Sequence, residues 1–502
     1  MFSILKIDAV YFYSDFLYNI SITFLQLQQY KYIGSAIYCA FFHPLSKYPG
    51  PFLAKFSAWP SFYNTYKGNR HVWLWQCHEI YGPIVRTSHE SLSFGTPEAL
   101  RSIYETRANV GKPRQYAVWP RDSTAVNTFA CIDKIKHARR RRVLTSAISE
   151  RAVRSSEPYV IQHADRWAAE LLASSTGEGE WSESRNVSEW ADCFVFDILC
   201  DLCFGRSYET KVPGPNKLRS VPENIATFME FSYNIIYSPF VDVWLWMKPK
   251  GLDKLFSKLM PQAIKDYIRF VEDSLAERVK QEKRHEENNT EPTRKDMLHY
   301  LFHAKDPETG GQGYTPAELY EDADMLTVAG ADTTSGVFAA LFFYLIHNPE
   351  VVQRLEKEIY ANFTNIDDVK SGPQLSACTY LRAIINETLR MSPPDADELP
   401  RESLSGGLRI GGTEEIIPAG FNVGSPIYVL HHDPEMFPQP FVFRPERWIV
   451  DESRSERDGG ISIESVQRAE AAFYPFLMGI RGCPGKTLAT IELSVTLARM
   501  VF

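Results

Sequence analysis

One cysteine in a glycine-rich turn has the clearest chemistry in this chain. Cys483 lies in the segment Phe476-Leu-Met-Gly-Ile-Arg-Gly-Cys-Pro-Gly485, before a helix-like run from Thr487 to Phe502. Backbone N–H groups of such a turn and the positive end of the next helix favour a thiolate. No second cysteine or histidine is in register, so a single axial bond to haem iron fits better than zinc. A buried structural cysteine is the alternative that Cys483 alone leaves open.

Small and polar residues interrupt a long apolar segment upstream of the cysteine. The interruption is Ala329-Gly-Ala-Asp-Thr-Thr334. A capping box at Thr315-Pro-Ala-Glu318 predicts where this helix begins, and His347-Asn-Pro349 predicts where it ends. Glycine and threonine weaken a helix locally, because threonine can bond the carbonyl one turn back. The segment can therefore open the helix to a water or a diatomic ligand. Close packing against another helix is the alternative.

An acid and a base three residues apart predict a buried ion pair. Glu387 and Arg390 share one helix face, and Leu381 to Leu389 is apolar enough to be buried. A third partner, Arg447, is offered by Pro445-Glu-Arg-Trp448. A buried charged cluster is weak evidence of stability but fixes side-chain geometry. We interpret these three residues as structural.

These motifs resemble, in chain order, those of the cytochrome P-450 family of haem-thiolate monooxygenases. A proline-rich hinge, His43-Pro-Leu-Ser-Lys-Tyr-Pro-Gly-Pro51, adds a similarity to membrane-bound members and to fungal ones in particular. The resemblance covers nearly the whole chain. It implies a mainly α fold, with one large helical domain and small β-sheets. Residues 43–502 would form that catalytic domain.

The resemblance also implies which residues bind the cofactor, haem b. Cys483 would be the axial ligand of the iron. The same loop would contribute Phe476, Arg481 and Gly485. Contacts with the haem propionates would come from His137, Arg141 and Arg401, because a planar guanidinium suits carboxylates.

In the family, the helix that carries His137 flanks the face where an acidic flavoprotein reductase docks. The neighbouring arginines Arg139, Arg140 and Arg142 are predicted to form a solvated basic face there.

The implied reaction is oxygen insertion with electrons from outside the chain. Asp332 and Thr333 would deliver protons to iron-bound dioxygen. Electrons would come from NADPH through NADPH–cytochrome P-450 reductase, with cytochrome b5 as a second candidate donor. We expect hydroxylation or epoxidation of a small hydrophobic substrate in fungal secondary metabolism. The alternatives are a catabolic hydroxylase of aromatic or fatty acids, a peroxide isomerase or dehydratase, and a non-catalytic haem-binding protein.

Composition adds exclusions and a cellular location. The 502 residues carry a net charge of −8, which gives no reason to expect nucleic-acid binding. Eight cysteines without a disulfide spacing indicate a reducing compartment. Residues 1–42 are predicted to anchor the chain in the endoplasmic reticulum membrane, with the catalytic domain in the cytosol. The apolar run Ala9 to Leu27 would cross the bilayer or lie along it.

Two further expectations concern loops and the chain end. The charged stretch from Lys280 to Lys295 is predicted to be an exposed connection between helices. The resemblance leads us to expect a pocket-lining segment after the last helix, and the sequence stops at Phe502 before it.

The substrate pocket is expected to draw on three segments: Tyr116 to Phe129, Leu326 to Thr333 and Asp395 to Leu399. The last segment includes Asp395-Ala-Asp-Glu398, which is acidic for a wall that faces haem. A cationic or hydrogen-bond-donating substrate would account for it. The interpretation that we prefer is that these side chains face solvent or bond backbone N–H groups.

Overall fold

The computed structural model describes residues 33–119, 125–173, 182–252, 258, 260–292, 294–306, 308–455 and 460–502. Helices dominate this part of the chain, and the strands form small sheets. The predicted mainly α architecture is therefore confirmed. The apolar run Ala9 to Leu27 lies outside the described residues, and the division at residue 43 stays a prediction.

The helices and strands follow one another along the whole chain. The helices are α1 (Trp59–Tyr66), α2 (Arg70–Tyr81), α3 (Pro97–Tyr104), α4 (Lys134–Ala147), α5 (Glu150–Leu172), α6 (Val187–Phe204), α7 (Val221–Ile236), α8 (Val241–Met247), α9 (Gln262–Glu287), α10 (Met297–Phe302), α11 (Pro316–His347), α12 (Pro349–Asn362), α13 (Pro373–Ala377), α14 (Thr379–Met391), α15 (Ile427–His431), α16 (Ile463–Ala471) and α17 (Lys486–Val501). The strands are β1 (Ile84–Ser88), β2 (Ser91–Phe94), β3 (Val110–Gly111), β4 (Arg401–Ser403), β5 (Leu408–Arg409), β6 (Ile416–Ile417) and β7 (Asn422–Gly424).

Helix α11 is the central helix of the core, and the sequence predicted both of its ends. The Thr315 hydroxyl accepts from the Glu318 N–H at 3.3 Å, and the Glu318 carboxylate accepts from the Thr315 N–H at 2.9 Å. Helix α6 packs along α11, and the stacked rings of Trp167 and Phe194, 4.3 Å apart, fill the space beside them. Among the described residues, α11 is also the one helix whose length and mean hydropathy would suffice to cross a bilayer. Its place in the core accounts for that composition.

The larger sheet closes the other end of the molecule. Its strand order is β1-β2-β7-β4-β3; β2 and β7 are parallel, and the other neighbours are antiparallel. Strands β5 and β6 pair separately. The face of the larger sheet packs against α3 through a second apolar cluster that includes Leu92, Leu100 and Val423. Strand β4, which carries Arg401, is thereby held in place between β3 and β7.

Helix α9 corrects the first half of the prediction of an exposed connection from Lys280 to Lys295, whereas the described residues after Glu287 do form a connection to the next helix. The helix continues to Glu287, seven residues beyond Lys280. Its buried face continues past the apolar residues through Arg278 and Glu282, which are 4% exposed and have charged partners. A buried face made of charged residues does not show as apolar periodicity, which is why the sequence failed to predict it.

The predicted buried cluster around Glu387 is present. The guanidinium of Arg390 donates to both carboxylate oxygens at 2.8 and 2.9 Å, and Arg447 Nε donates at 3.0 Å. The indole N–H of Trp448 and the backbone N–H of Arg444 donate to the same carboxylate at 3.0 Å each. Burial raises the pKa of Glu387, but the hydrogen bonds and charges of these partners outweigh it and hold the pKa below its usual value.

We expect Glu387→Gln to destabilise the protein by about 3–5 kcal/mol, because two buried guanidinium groups would lose their shared counter-charge. The midpoint of urea unfolding, followed by far-UV circular dichroism, measures this. Glu446→Gln is the control, since a glutamine oxygen can still accept from Arg354 and from the Tyr380 hydroxyl, which lie 3.0 and 2.8 Å from Glu446, and the change should cost less than about 1 kcal/mol. Equal midpoints for the two variants would contradict a structural role for the Glu387 cluster.

Candidate functional site

The backbone of the cysteine loop requires glycine at position 479. Gly479 has φ +70°, and a Cβ there would lie 2.2 Å from the carbonyl oxygen of Tyr104. The backbone N–H of Cys483 donates to the Phe476 carbonyl at 2.9 Å and closes the loop. Helix α17 then begins at Lys486, within one residue of the predicted start. The loop therefore presents the cysteine at the entrance of that helix.

The sulfur of Cys483 faces an enclosed space. Its side chain is exposed, yet desolvation by surrounding protein raises the pKa of its thiol. The backbone N–H groups of Gly485 and Lys486 and the charge of Arg141 lower the pKa of Cys483 without cancelling the effect of burial. The predicted N–H donors are thus in place, but they do not by themselves produce a thiolate. A metal cation at the sulfur would deprotonate the thiol outright.

Basic side chains from four separate elements converge beside this space. They are His137 and Arg141 of α4, Arg401 of β4, Arg481 of the cysteine loop and Lys112 after β3. Burial, then the charges of its four cationic neighbours, lower the pKa of His137 to about 3. Burial and the neighbouring Arg401 lower the pKa of Arg481 to about 10, and the pKa of Lys112 lies well below its usual value. The cluster therefore contains repelling positive charges.

This cluster fits an anionic cofactor. The ring Nδ1 of His137 is buried and has no hydrogen-bond partner among the described residues. Arg401 donates to the Pro400 carbonyl at 2.9 Å, and Arg481 donates to the Ile132 carbonyl at 3.2 Å, so both have donors to spare. Two carboxylates on a flat metal-binding ring would satisfy these donors and bring the metal to Cys483. The residues present thus fit haem.

Four of the predicted propionate and loop residues are brought together: His137, Arg141, Arg401 and Arg481. Phe476 lies on the same loop, with the Lys486 ammonium 5.9 Å from its ring centre, and a Cβ on Gly485 would sit 3.8 Å from the Cys483 sulfur. Sequence reasoning missed Lys112. A single lysine between glycine and proline carries no signal of burial.

The interruption in α11 has two structural roles. A Cβ at Gly330 would lie 2.6 Å from a methyl group of Leu199, so Gly330 permits close contact with α6. The Thr333 hydroxyl donates to the Ala329 carbonyl at 2.6 Å, the competing bond that the sequence predicts. Ala329 and Thr333 are exposed although most neighbouring helix positions are buried. The close-packing alternative therefore holds for Gly330, while Thr333 faces open space.

Asp332 lines a partly open pocket between α6, α7 and α11. Asp192 of α6 lines the same pocket, and its carboxylate hydrogen-bonds the Ser335 side chain. Burial, then the negative charge of Asp192, raises the pKa of Asp332. Burial also raises the pKa of Asp192. Sequence reasoning missed Asp192, because nothing local distinguishes an aspartate on a buried helix.

A second acid that the sequence did not indicate packs α17 against α11. Glu492 is 3% exposed and hydrogen-bonds the Thr334 side chain. Burial raises the pKa of Glu492 to about 8, so the carboxyl is neutral at pH 7. A neutral acid can donate as well as accept, and it therefore joins the cysteine helix to the central helix without a buried charge.

The prediction of a solvated basic face at Arg139, Arg140 and Arg142 is wrong for two of the three. Arg140 is 6% exposed and pairs with Glu318 at 2.5 Å, and Arg139 pairs with Asp306 at 2.7 Å. Arg142 is on the surface but pairs with Glu308 at 2.5 Å. All three acids lie in or near the start of α11, which the sequence gave no reason to place beside α4.

The acidic segment after α14 also departs from the preferred interpretation. Asp397 and Glu398 are buried, and both pair with the buried guanidinium of Arg70 instead of facing solvent or bonding backbone N–H groups alone. Asp395 has no hydrogen bond to another described residue. Its side chain is exposed, yet burial raises the pKa of Asp395 to about 6, so it lines an internal space near Arg401. The acidic pocket wall is thereby reduced to one carboxyl.

Comparison with known proteins agrees with this geometry. A family model described as Cytochrome P-450 matches residues 49–501. Cytochrome P-450 monooxygenase apf7 of Gibberella fujikuroi is 35% identical over 485 residues, covering 93% of this chain and 87% of that protein. Cytochrome P-450 monooxygenase atnE of Emericella nidulans is 34% identical, covering 94% and 88%. Cytochrome P-450 monooxygenase poxM of Penicillium oxalicum is 34% identical, covering 96% and 88%.

Proposed function

Because the chain belongs to the cytochrome P-450 family and is a monooxygenase of that family, we propose that it hydroxylates or epoxidises a small hydrophobic substrate. The observation that carries this proposal is the meeting of the Cys483 sulfur with the cationic cluster around His137 and Arg141. Similarity to fungal monooxygenases supports a role in fungal secondary metabolism.

Each part of the site has a task in this reaction. Cys483 would ligate the iron of haem b, while His137, Arg141, Arg401, Arg481 and Lys112 would hold its two carboxylates. Bound haem supplies the activation of O2 and the transfer of one oxygen atom to a C–H or C=C bond. NADPH–cytochrome P-450 reductase, or cytochrome b5 for the second electron, delivers electrons one at a time.

Asp332 and Thr333 move protons from solvent towards the oxygen side of the site. Asp332 lies on the pocket that it shares with Asp192, and Thr333 is the next residue around the helix. Burial and the charge of Asp192 raise the pKa of Asp332, which favours its proton-carrying form and suits a general acid. The Ser335 side chain hydrogen-bonds the Asp192 carboxylate, so it orients the acid that neighbours Asp332.

The substrate that we propose carries a cation or a hydrogen-bond donor on an otherwise apolar body. Asp395 supports this, because it is the one carboxyl of the segment 395–398 that is left without a partner in the described part of the chain. Tyr116 and Tyr237 lie within electrostatic reach of Asp395 and give the space an aromatic wall. An enclosed carboxylate costs free energy unless a ligand group pairs with it.

We propose that the protein resides in the endoplasmic reticulum membrane with its catalytic domain in the cytosol. Exposed aromatic residues near the start of the described chain support this, among them Phe41, Phe42 and Trp59. The ring of Trp59 contacts that of Phe240, 5.9 Å away, so the exposed face continues onto the segment before α8. Aromatic rings are enriched where a protein meets the membrane interface.

The first test is the absorption spectrum of the reduced protein under CO. We expect the red-shifted Soret band of a thiolate-ligated haem in the wild type and its loss in Cys483→Ser, since serine supplies no thiolate. Cys131→Ser is the control, because Cys131 is buried beside the Arg481 side chain yet serves as no ligand. A wild-type protein that binds haem and lacks the band would overturn the proposal.

The proton route predicts a pH shift in Asp192→Asn. Removing the Asp192 charge lowers the pKa of Asp332, so its protonated form is lost at a lower pH. We expect the alkaline limb of the turnover profile to move to lower pH and hydrogen peroxide release to rise. In Asp332→Asn that limb should vanish. An unchanged profile in Asp192→Asn beside a lost limb in Asp332→Asn would exclude Asp192 from the route.

Asp395→Asn should remove a preference for cationic ligands. The probes are dodecyltrimethylammonium and 1-dodecanol, followed by the haem spin-state change. We expect the ammonium to bind Asp395→Asn about tenfold more weakly than wild type, with dodecanol unchanged. In the wild type the preference should also fade below about pH 6, where Asp395 becomes protonated.

Glu402→Gln is the control for Asp395→Asn, because Glu402 lies on β4 and forms no ion pair among the described residues. Equal ammonium affinities in wild type and Asp395→Asn would exclude the carboxyl from substrate recognition.

A further inference from the structure

Three potential metal ligands meet where α9 passes α10, on a part of the chain that the proposed reaction does not use. His299 Nδ1 lies 2.9 Å and His303 Nε2 lies 2.7 Å from the same oxygen, Oε1 of Glu282. The two histidines are one helical turn apart, so their rings share a face. Their ring centres are 4.6 Å apart, and the three ligand atoms all lie within 4.8 Å of one another.

The cluster is partly buried and partly open to solvent. Glu282 is 4% exposed, whereas the His303 side chain is 45% exposed and His299 is half-buried. The carboxylate is therefore fixed in the protein, while the outer imidazole can adjust and an ion can enter from solvent. A rigid acid with a movable histidine suits a site that loads after folding.

Charge favours a cation at this place. Arg278 pairs with Oε2 of Glu282 at 2.6 Å, and it donates to both oxygens of Asp296 at 2.7 and 3.2 Å. One guanidinium thus serves two carboxylates, which leaves a net charge of about −1 when both imidazoles are neutral. Hydrogen bonds from His303, Arg278 and His299 hold the pKa of Glu282 at about 2 against the effect of burial, so the acid is ionised. Arg278 pairs with Oε2 of Glu282, so Oε1 is left to face the two histidines.

The donor set and its dimensions match zinc. Two imidazole nitrogens and one carboxylate oxygen are ligands that Zn²⁺ takes in sites with an open fourth position. Ligands of tetrahedral zinc lie roughly 3.3 Å apart, so the observed 2.7 and 2.9 Å require outward shifts of a few tenths of an ångström. Arg278 and Asp296 orient the carboxylate, as outer partners of metal ligands commonly do.

We propose that Glu282, His299 and His303 bind one Zn²⁺ ion, with water as the fourth ligand. The ion replaces the hydrogen atoms that now join the imidazoles to Glu282, and it links the end of α9 to α10. Each histidine must present a ring nitrogen without hydrogen to the ion. Glu282 is the charged group that bonds both imidazoles, and Arg278 pairs with Glu282 and with Asp296.

The experiment uses the full chain, with any affinity tag removed and metal stripped by a chelator. Titration calorimetry with ZnCl2 should show one ion per chain that is lost in a double His299→Ala/His303→Ala variant. His303→Ala alone should weaken binding about 10- to 100-fold. His285→Ala is the matched control, because this half-buried histidine lies on α9 one turn after Glu282 and bonds only Thr290 in the described chain.

Co²⁺ in place of Zn²⁺ identifies the ligand atoms. A visible d–d spectrum of four-coordinate cobalt without a thiolate charge-transfer band would place the ion on nitrogen and oxygen rather than on one of the eight cysteines. Unchanged zinc affinity in the double variant, or a thiolate band in the wild type, would overturn the proposal and leave a hydrogen-bonded cluster only. Far-UV circular dichroism and the CO spectrum of each variant show that the fold is intact, since His303 is a surface residue.

Discussion

The buried positive charge beside Cys483 is the constraint on which the rest of the structure depends. His137, Lys112, Arg401 and Arg481 come from distant parts of the chain, and burial followed by the charges of neighbouring cationic groups lowers the pKa of His137, Lys112 and Arg481. Burying such charges together costs free energy, and among the described residues Arg401 and Arg481 donate to carbonyl and hydroxyl oxygens rather than to carboxylates. The fold must therefore hold these elements in place by other means until a dianionic cofactor neutralises them. That requirement explains why strong hydrogen-bonded contacts within the protein surround the site.

The Glu387 cluster is the main one of these contacts. Its carboxylate receives bonds from α14 itself and from the turn after Pro445, so it fixes one long segment to one helix and serves as the shared counter-charge of two buried guanidinium groups. Glu492 does the same for α17 by staying neutral. Arg481 is tied to the backbone carbonyl of Ile132. Each of these contacts is made within the protein, so the cofactor is not the only group that organises the site.

The sequence was informative where chemistry is local and uninformative where it is not. The capping box at Thr315, the loop around Cys483 and the pair Glu387/Arg390 have their partners within a few residues, so residue types and spacing suffice. Lys112, Asp192 and Glu282 acquire their roles from neighbours far away in the chain.

The errors have the same origin. The arginine run in α4 was predicted to be solvated, because the acids that pair with it lie about 170 residues further on. The stretch from Lys280 was predicted to be a loop, because its buried face is charged rather than apolar. Composition shows that a charge exists, and only the fold shows whether it has a partner.

Helix α11 lies between two spaces, the one that Thr333 faces and the pocket that Asp332 and Asp192 line, and its residues connect them. Ala329 and Thr333 are four residues apart and share one face, which looks onto open space. Asp332 and Ser335 line the pocket with Asp192 on another face. Successive residues of a helix differ by about 100° in direction, so Asp332 and Thr333 together span the helix from one space to the other. Gly330, held against Leu199, fixes the rotation of α11 that makes this possible.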